Sequence, residues 1–144
     1  RHAGAQPVNA RCLARLTAGL LMAFATAACS CVPDLPGGGR TLESARYAVK
    51  YRALPNKIPM GQHFSLELAV CANAGTPMPE NVTVDAWMPE HRHGMNYKAS
   101  IKEAPGGRYR AEGLMFHMPG RWELVFELRA AGRTDRLTQS EVIE

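Results

Sequence analysis

The sequence predicts an all-β domain, an antiparallel immunoglobulin-like β-sandwich of about seven strands preceded by an N-terminal signal segment. Apolar and polar residues alternate with a period of two in several short runs, which is typical of strands with one buried face. Pro and Gly residues interrupt these runs about every ten residues, as turns do. After residue 28, no stretch sustains a helical period over several turns.

Residues 1–28 are predicted to be an export signal. Arg11 and Arg15 form a basic start, and an uncharged, largely apolar run covers 16–28 before ending on small residues. That run is shorter than the roughly 20 residues of a membrane-spanning helix. We therefore expect a periplasmic or otherwise extracytoplasmic protein.

Cys29 follows this segment directly. The sequence Thr26-Ala27-Ala28-Cys29 resembles the lipoprotein signal motif, except that Thr26 stands where Leu is usual. Two alternatives remain, a lipid anchor on Cys29 or plain cleavage after a small residue. If Cys29 carries lipid, Cys31 and Cys71 are free to pair in an oxidising compartment, although Cys71 also fits as a small apolar residue of a strand.

Residues 29–45 are predicted to be a flexible tether, because they are rich in Pro and contain Gly37-Gly38-Gly39. The β-sandwich domain is assigned to 46–144. The predicted strands cover 46–53, 63–72, 82–88, 96–103, 108–118, 121–130 and 134–142. In 63–72, for example, Phe64, Leu66 and Leu68 alternate with polar or small residues.

Charge argues against a nucleic-acid partner. The 17 basic residues of the chain less the three in 1–28 leave 14, against 13 acidic residues, a formal charge of +1. A domain with so little net charge has no strong electrostatic attraction to nucleic acid or anionic lipid.

Two short runs contain the residues most suited to chemistry. The first, Met88-Pro89-Glu90-His91-Arg92-His93-Gly94-Met95, holds two imidazoles and two thioethers, and the second is His117-Met118-Pro119-Gly120. Neighbouring antiparallel strands reverse direction at each short connection, so counting strands brings both runs to one pole of the sandwich. On an extended segment His91 and His93 would point the same way, with Gly94 allowing a tight turn behind them.

Imidazole together with thioether favours copper, and thioether in particular favours Cu(I). The candidate ligands share this pole: His91, His93, Met88, Met95, His117 and Met118. Zinc held by three of the histidines is the second choice. The structural alternative is that Met88 and Met118 belong to the core while His91 and His93 are solvated turn residues.

Catalytic signatures are missing from the sequence. It contains no G-x-S-x-G, P-loop or H-E-x-x-H motif, and Cys71 has no nearby downstream His of the kind that blue-copper sites use. We therefore expect a protein that is not an enzyme.

The two runs, together with Gly107-Arg108-Tyr109 and Phe116-His117-Met118-Pro119-Gly120-Arg121-Trp122, resemble the YtkA-like domain family, which is itself similar to FixH-type proteins. The resemblance covers about residues 46–130. It implies a small exported or tethered β-sandwich concerned with metal, especially copper, and carries over His91, His93, Met88, Met95 and Met118 as motif residues. Tyr109, Gly113 and Trp122 are interpreted as fold residues, with Tyr109 forming a tyrosine corner.

Two functions follow from these observations. The first is a periplasmic copper chaperone or buffer that holds its metal ion in the His/Met cluster. The alternative is an interaction module that docks a membrane partner, such as an oxidase assembly factor or an efflux component.

Overall fold

A computed structural model describes residues 31–144, so the predicted signal in 1–28 and the state of Cys29 lie outside the described residues. The described part folds into nine strands and contains no helix. In chain order the strands are β1 Arg40–Glu43, β2 Tyr47–Leu54, β3 His63–Ala72, β4 Asn81–Met88, β5 His93–Gly94, β6 Ser100–Ala104, β7 Arg108–Met115, β8 Gly120–Ala130 and β9 Arg133–Ile143. Within this range no helix has the length and apolar character of a membrane span.

The strands form two antiparallel sheets. One has the order β1-β2-β3-β7-β6 and the other the order β5-β4-β8-β9. The inward faces of both sheets meet in one apolar core, which confirms the predicted all-β antiparallel sandwich. The largest fully buried side chains include Trp122, Tyr47, Phe116, Phe126 and Met88.

The seven predicted strands all have counterparts, and β3 has the predicted bounds of 63–72. Two additional strands, β1 and β5, are short edge strands whose few residues carry little periodic signal. The predicted fourth strand, 96–103, corresponds to β6, which begins only at Ser100 and lies in the other sheet from β5. β5 and β6 run in the same sense, so the strand count that places the two His/Met runs together is unaffected.

Strand β7 changes face part-way along its length. Phe64 pairs with Leu114 and Leu66 pairs with Ala111, so β7 advances three residues while β3 advances two. The extra residue makes a β-bulge, and Gly113 lies in it with a φ of 83°, a conformation that only glycine adopts readily. The buried residues of β7 therefore switch from odd to even positions before the chain reaches the second His/Met run.

Much of the predicted tether is packed onto the domain, which corrects our assignment of 29–45 as flexible. Cys31 forms a disulfide with Cys71, Pro33 and Leu35 are buried, and residues 40–43 pair with β2 as strand β1. Pro and Gly residues predict a lack of regular structure here, but they do not prevent the few apolar side chains from packing. We call this clamped segment, residues 31–39, the strap.

The strap begins at one end of the sandwich, which we call the disulfide pole. There the Cys31 amide donates to the side-chain oxygen of Asn73 at 3.1 Å, and Arg46 pairs with Asp135. The tyrosine that bonds back to the backbone, which we expected to be Tyr109, is Tyr47 and lies at this pole. Tyr47 donates its hydroxyl to the Pro77 carbonyl at 2.8 Å, and burial raises the pKa of that hydroxyl.

Tyr109 itself is buried, but within residues 31–144 its hydroxyl makes no such bond to the backbone. Its burial in the core agrees with the prediction that Tyr109 is a fold residue. The prediction that Tyr109 forms a tyrosine corner is wrong. Sequence pattern could not separate the two, because both tyrosines lie on the inward face of a strand.

Candidate metal centre

The two His/Met runs meet at the end of the sandwich opposite the disulfide pole. The first run forms the turn between β4 and β5, and the second forms the connection from β7 to β8. The ring centroids of His93 and His117 lie 5.1 Å apart, and those of His91 and His93 lie 5.9 Å apart. We call this end, with its three histidines and the neighbouring Met88, Met95 and Met118, the His/Met pole.

The β4–β5 connection is a four-residue turn and not the extended segment we expected. The Met88 carbonyl accepts hydrogen bonds from the amides of His91 at 3.2 Å and Arg92 at 2.9 Å. Arg92 then adopts a φ of 54°, in the left-handed region that is uncommon for residues other than glycine. His91 and His93 come close because the chain reverses at Arg92, and not because they share one face of a strand.

Gly94 has a different role from the one predicted. The positive φ of the turn belongs to Arg92, while Gly94 lies in β5, paired with Trp87. A Cβ at Gly94 would lie 3.2 Å from the carbonyl oxygen of Ala86, which is a tight approach. The glycine therefore lets the short edge strand β5 lie close against β4.

His93 has one ring nitrogen engaged with the backbone. Its Nδ1 lies 3.0 Å from the Gly94 carbonyl oxygen. Because a carbonyl oxygen only accepts, Nδ1 carries the hydrogen and the Nε2 of the neutral ring has a free lone pair. A backbone carbonyl on one imidazole nitrogen is the arrangement that orients metal-binding histidines.

His117 holds a buried polar atom without a partner. Its Nδ1 is inaccessible to solvent and makes no hydrogen bond within residues 31–144. Such an atom normally costs free energy unless a hydrogen bond or a ligand satisfies it. The imidazole ring that carries this atom is a neighbour of the His93 ring, so the unsatisfied group belongs to the three-histidine cluster.

Trp122 forms the floor of the cluster. Its ring centroid lies 5.7 Å from that of His93 and 5.3 Å from that of His117, with both imidazoles steeply inclined to the indole. The indole N–H donates to the Met118 carbonyl at 3.0 Å, and the ring is fully buried. The sequence indicated that Trp122 is a fold residue, but it gave no sign that this residue also contacts two histidines.

The three methionines surround the histidines at different depths. Met88 is fully buried in the core and faces His93 in the β4–β5 register, while Met95 and Met118 are partly buried and pack against the core. The structural alternative, in which Met88 and Met118 belong to the core, therefore holds for Met88, while Met118 packs against the core and keeps some exposure. Whether any of the three sulfur atoms binds a metal stays a prediction.

The donor set fits a site of low coordination. An imidazole nitrogen lies about 2.0 Å from a bound metal, so two rings on one ion have centroids within about 6 Å of each other. Both measured centroid distances satisfy that limit. Within residues 31–144, however, no three or more His, Cys, Asp and Glu side chains are grouped so as to hold a metal ion. Two imidazoles completed by a thioether are the arrangement that remains.

Charged residues near the cluster pair with one another. Arg121 lies 3.4 Å from Glu90 and 3.5 Å from Glu123, all partly exposed. His63 is exposed at the start of β3 and packs edge-on against Tyr97, with centroids 5.0 Å apart. His63 thus lies outside the three-histidine cluster.

Comparisons with known proteins identify the family. Neither the curated proteins nor the solved structures contain a match to this chain. The family model described as YtkA-like matches residues 45–126, a range that includes both His/Met runs and most of the sandwich. Since this match covers more than half of the 144 residues, the chain belongs to the YtkA-like family.

Proposed function

We propose that this protein is an exported copper-binding protein that carries or buffers Cu(I) at the His/Met pole. The ligands are the two imidazoles of His93 and His117, completed by the thioether of Met95 or Met118, and His91 lies beside them. The protein binds its ion and releases it to a partner, and it has no catalytic role.

One observation carries this proposal: two imidazoles from separate turns lie with centroids 5.1 Å apart, and each has a nitrogen available for a ligand. In His93 this is Nε2, because Nδ1 is occupied by the Gly94 carbonyl. In His117 it is the buried Nδ1, which lacks a partner within the described residues. A bound ion would satisfy both groups.

The chemistry of the donors supports copper over zinc. Zinc in proteins is usually tetrahedral and prefers four nitrogen, sulfur or oxygen ligands, typically from His, Cys and carboxylates. Within residues 31–144 no such group of three or more is present. Soft thioethers with imidazole suit Cu(I), which accepts fewer ligands.

The test is Cu(I) binding to the full chain, measured by competition with a chromophoric Cu(I) chelator under anaerobic conditions. Ascorbate keeps the copper reduced without reducing the Cys31–Cys71 disulfide, so that pair contributes no thiolate. Cys12 and Cys29 are replaced by Ser, because free thiols would themselves bind Cu(I).

We expect one tightly bound Cu(I) per chain, and we expect His91→Ala combined with His93→Ala to abolish this binding. His63→Ala is the matched control, since it removes an imidazole that packs against Tyr97 outside the cluster. Equal affinity in the double variant and in the parent chain would contradict the proposal.

The interaction-module alternative has its own supporting observation. Met60, Trp87 and Tyr97 are large apolar side chains that each expose more than a third of their surface, and the amide of Gly61 beside Met60 bonds the Phe116 carbonyl near the His/Met pole. Large exposed apolar side chains can belong to a docking surface. If the chain binds no Cu(I), docking of a membrane partner becomes the better account of this pole.

A further inference from the structure

We infer that Trp122 determines the metal specificity of the His/Met pole, favouring a soft monovalent ion over zinc. This inference rests on the proposed function and extends it, since it concerns which ions the cluster admits. It assigns a binding role to a residue that sequence pattern places in the core.

The first step of the argument is position. His93, His117 and Trp122 form a triangle of rings with centroid separations of 5.1, 5.3 and 5.7 Å. The indole therefore borders both imidazoles. Phe116 stacks on the indole, with ring centroids 4.9 Å apart and planes inclined by 21°.

The second step is chemistry. The indole N–H is already donated to the Met118 carbonyl, and an indole nitrogen that keeps its hydrogen offers no lone pair to a metal. Trp122 thus presents only its aromatic surface to the cluster. It is also fully buried, so it excludes water from that side of the imidazole pair.

The third step is coordination number. A zinc ion on His93 and His117 needs two further ligands, and the Trp122 ring fills part of the space that a water or a second side chain would take. Cu(I) is satisfied by fewer, softer ligands, and the face of an indole attracts a neighbouring cation. The Trp122 ring therefore disfavours zinc and favours a soft monovalent ion.

The test starts from the full chain with Cys12→Ser and Cys29→Ser, the parent chain. It compares the ratio of Cu(I) affinity to Zn(II) affinity in this parent and in two further variants of it. Trp122→Phe replaces the indole beside the two imidazoles with a smaller ring. Phe116→Leu is the matched control, because it loosens the same part of the core and leaves the indole beside the histidines. Thermal unfolding shows whether each variant is folded at the temperature of the titration.

We expect Trp122→Phe to lower the Cu(I)-to-Zn(II) ratio by about tenfold, or ~1.4 kcal/mol, and Phe116→Leu to leave it unchanged. The chain has two tryptophans, so Trp87→Phe leaves Trp122 as the sole indole emitter. In that variant we expect the emission to change with Cu(I), or with redox-inert Ag(I), until one ion is bound per chain, and to respond less to Zn(II).

An unchanged ratio in Trp122→Phe, with Trp122 emission insensitive to saturating Cu(I), would overturn this inference while leaving the proposed copper site standing. Equal losses of the ratio in Trp122→Phe and Phe116→Leu would also overturn it, since the effect would then come from core packing alone. Absence of Cu(I) binding in the parent chain would overturn the proposed function and this inference together.

Discussion

The His/Met pole and the disulfide pole close the same two sheets by different means. At the disulfide pole Cys31 is covalently joined to Cys71, Tyr47 bonds the Pro77 carbonyl and Arg46 pairs with Asp135. At the His/Met pole Arg92 has a left-handed backbone, His91 is exposed and the Nδ1 of His117 is unsatisfied within residues 31–144.

This difference indicates a division of roles. Local features that cost stability collect where function needs them, and the rest of the fold compensates. We therefore expect changes at the disulfide pole to alter stability with little effect on metal binding, and changes of the histidines at the His/Met pole to do the reverse.

The largest expected effect on stability comes from removing the disulfide. Replacing both Cys31 and Cys71 with Ala should lower the free energy of unfolding by roughly 2–5 kcal/mol, because the bond closes a loop between residues 40 positions apart. Chemical denaturation measures this loss. The Cu(I) affinity should stay the same, and a parallel loss of affinity would show that the two poles are not independent.

A second comparison uses one glycine at each pole. A Cβ at Gly107 would lie 2.4 Å from the backbone oxygen of Val70, whereas a Cβ at Gly120 would lie 2.4 Å from the terminal methyl of Met88. Both glycines have positive φ, so each substitution also strains the backbone.

Gly107→Ala should therefore cost about 3 kcal/mol and Gly120→Ala only ~1–2 kcal/mol, because a flexible Met side chain can move and a paired backbone cannot. Thermal unfolding of the two variants checks the order. If Gly120→Ala were the more damaging, Met88 would be held as rigidly as the backbone of the sheet.

The smallest expected effect concerns two residues with left-handed backbone, Arg92 at the His/Met pole and Ala131 in the turn between β8 and β9. Arg92→Gly and Ala131→Gly should each leave stability unchanged or raise it by up to ~1 kcal/mol, since glycine removes the strain but loses more chain entropy.

Arg92→Val is the matched control, and it should lower stability by about 1–2 kcal/mol because a β-branched residue resists positive φ. Denaturant titration of the three variants distinguishes them. A destabilised Arg92→Gly would mean that the arginine side chain stabilises the turn by contacts that outweigh its backbone strain.

The sequence predicted the sandwich and the meeting of the two His/Met runs because both depend on simple periodicity. Alternation of apolar and polar residues marks each strand. Two turns lie at the same pole when an even number of strands separates them, and at opposite poles when the number is odd. The additional strand β5 did not alter that parity, because it runs in the same sense as β6.

Other features could not be read from the pattern. The sequence left pairing of Cys31 with Cys71 as one alternative, and the burial of Pro33 and Leu35 in the strap carries no periodic signal. The left-handed Arg92 looks like any exposed turn residue, and the contact between Trp122 and two histidines depends on the bulge at Gly113 and on the register of β8. Such details come from tertiary packing and not from local sequence.

The most direct measurement of the central claim is X-ray absorption at the copper edge of the Cu(I)-loaded full chain with Cys12→Ser and Cys29→Ser. The account predicts a low-coordinate ion with imidazole scattering from two histidines and one sulfur at thioether distance, and loss of an imidazole in His117→Ala. A spectrum without imidazole scattering, or one that is unchanged in His117→Ala, would contradict a copper site at the His/Met pole.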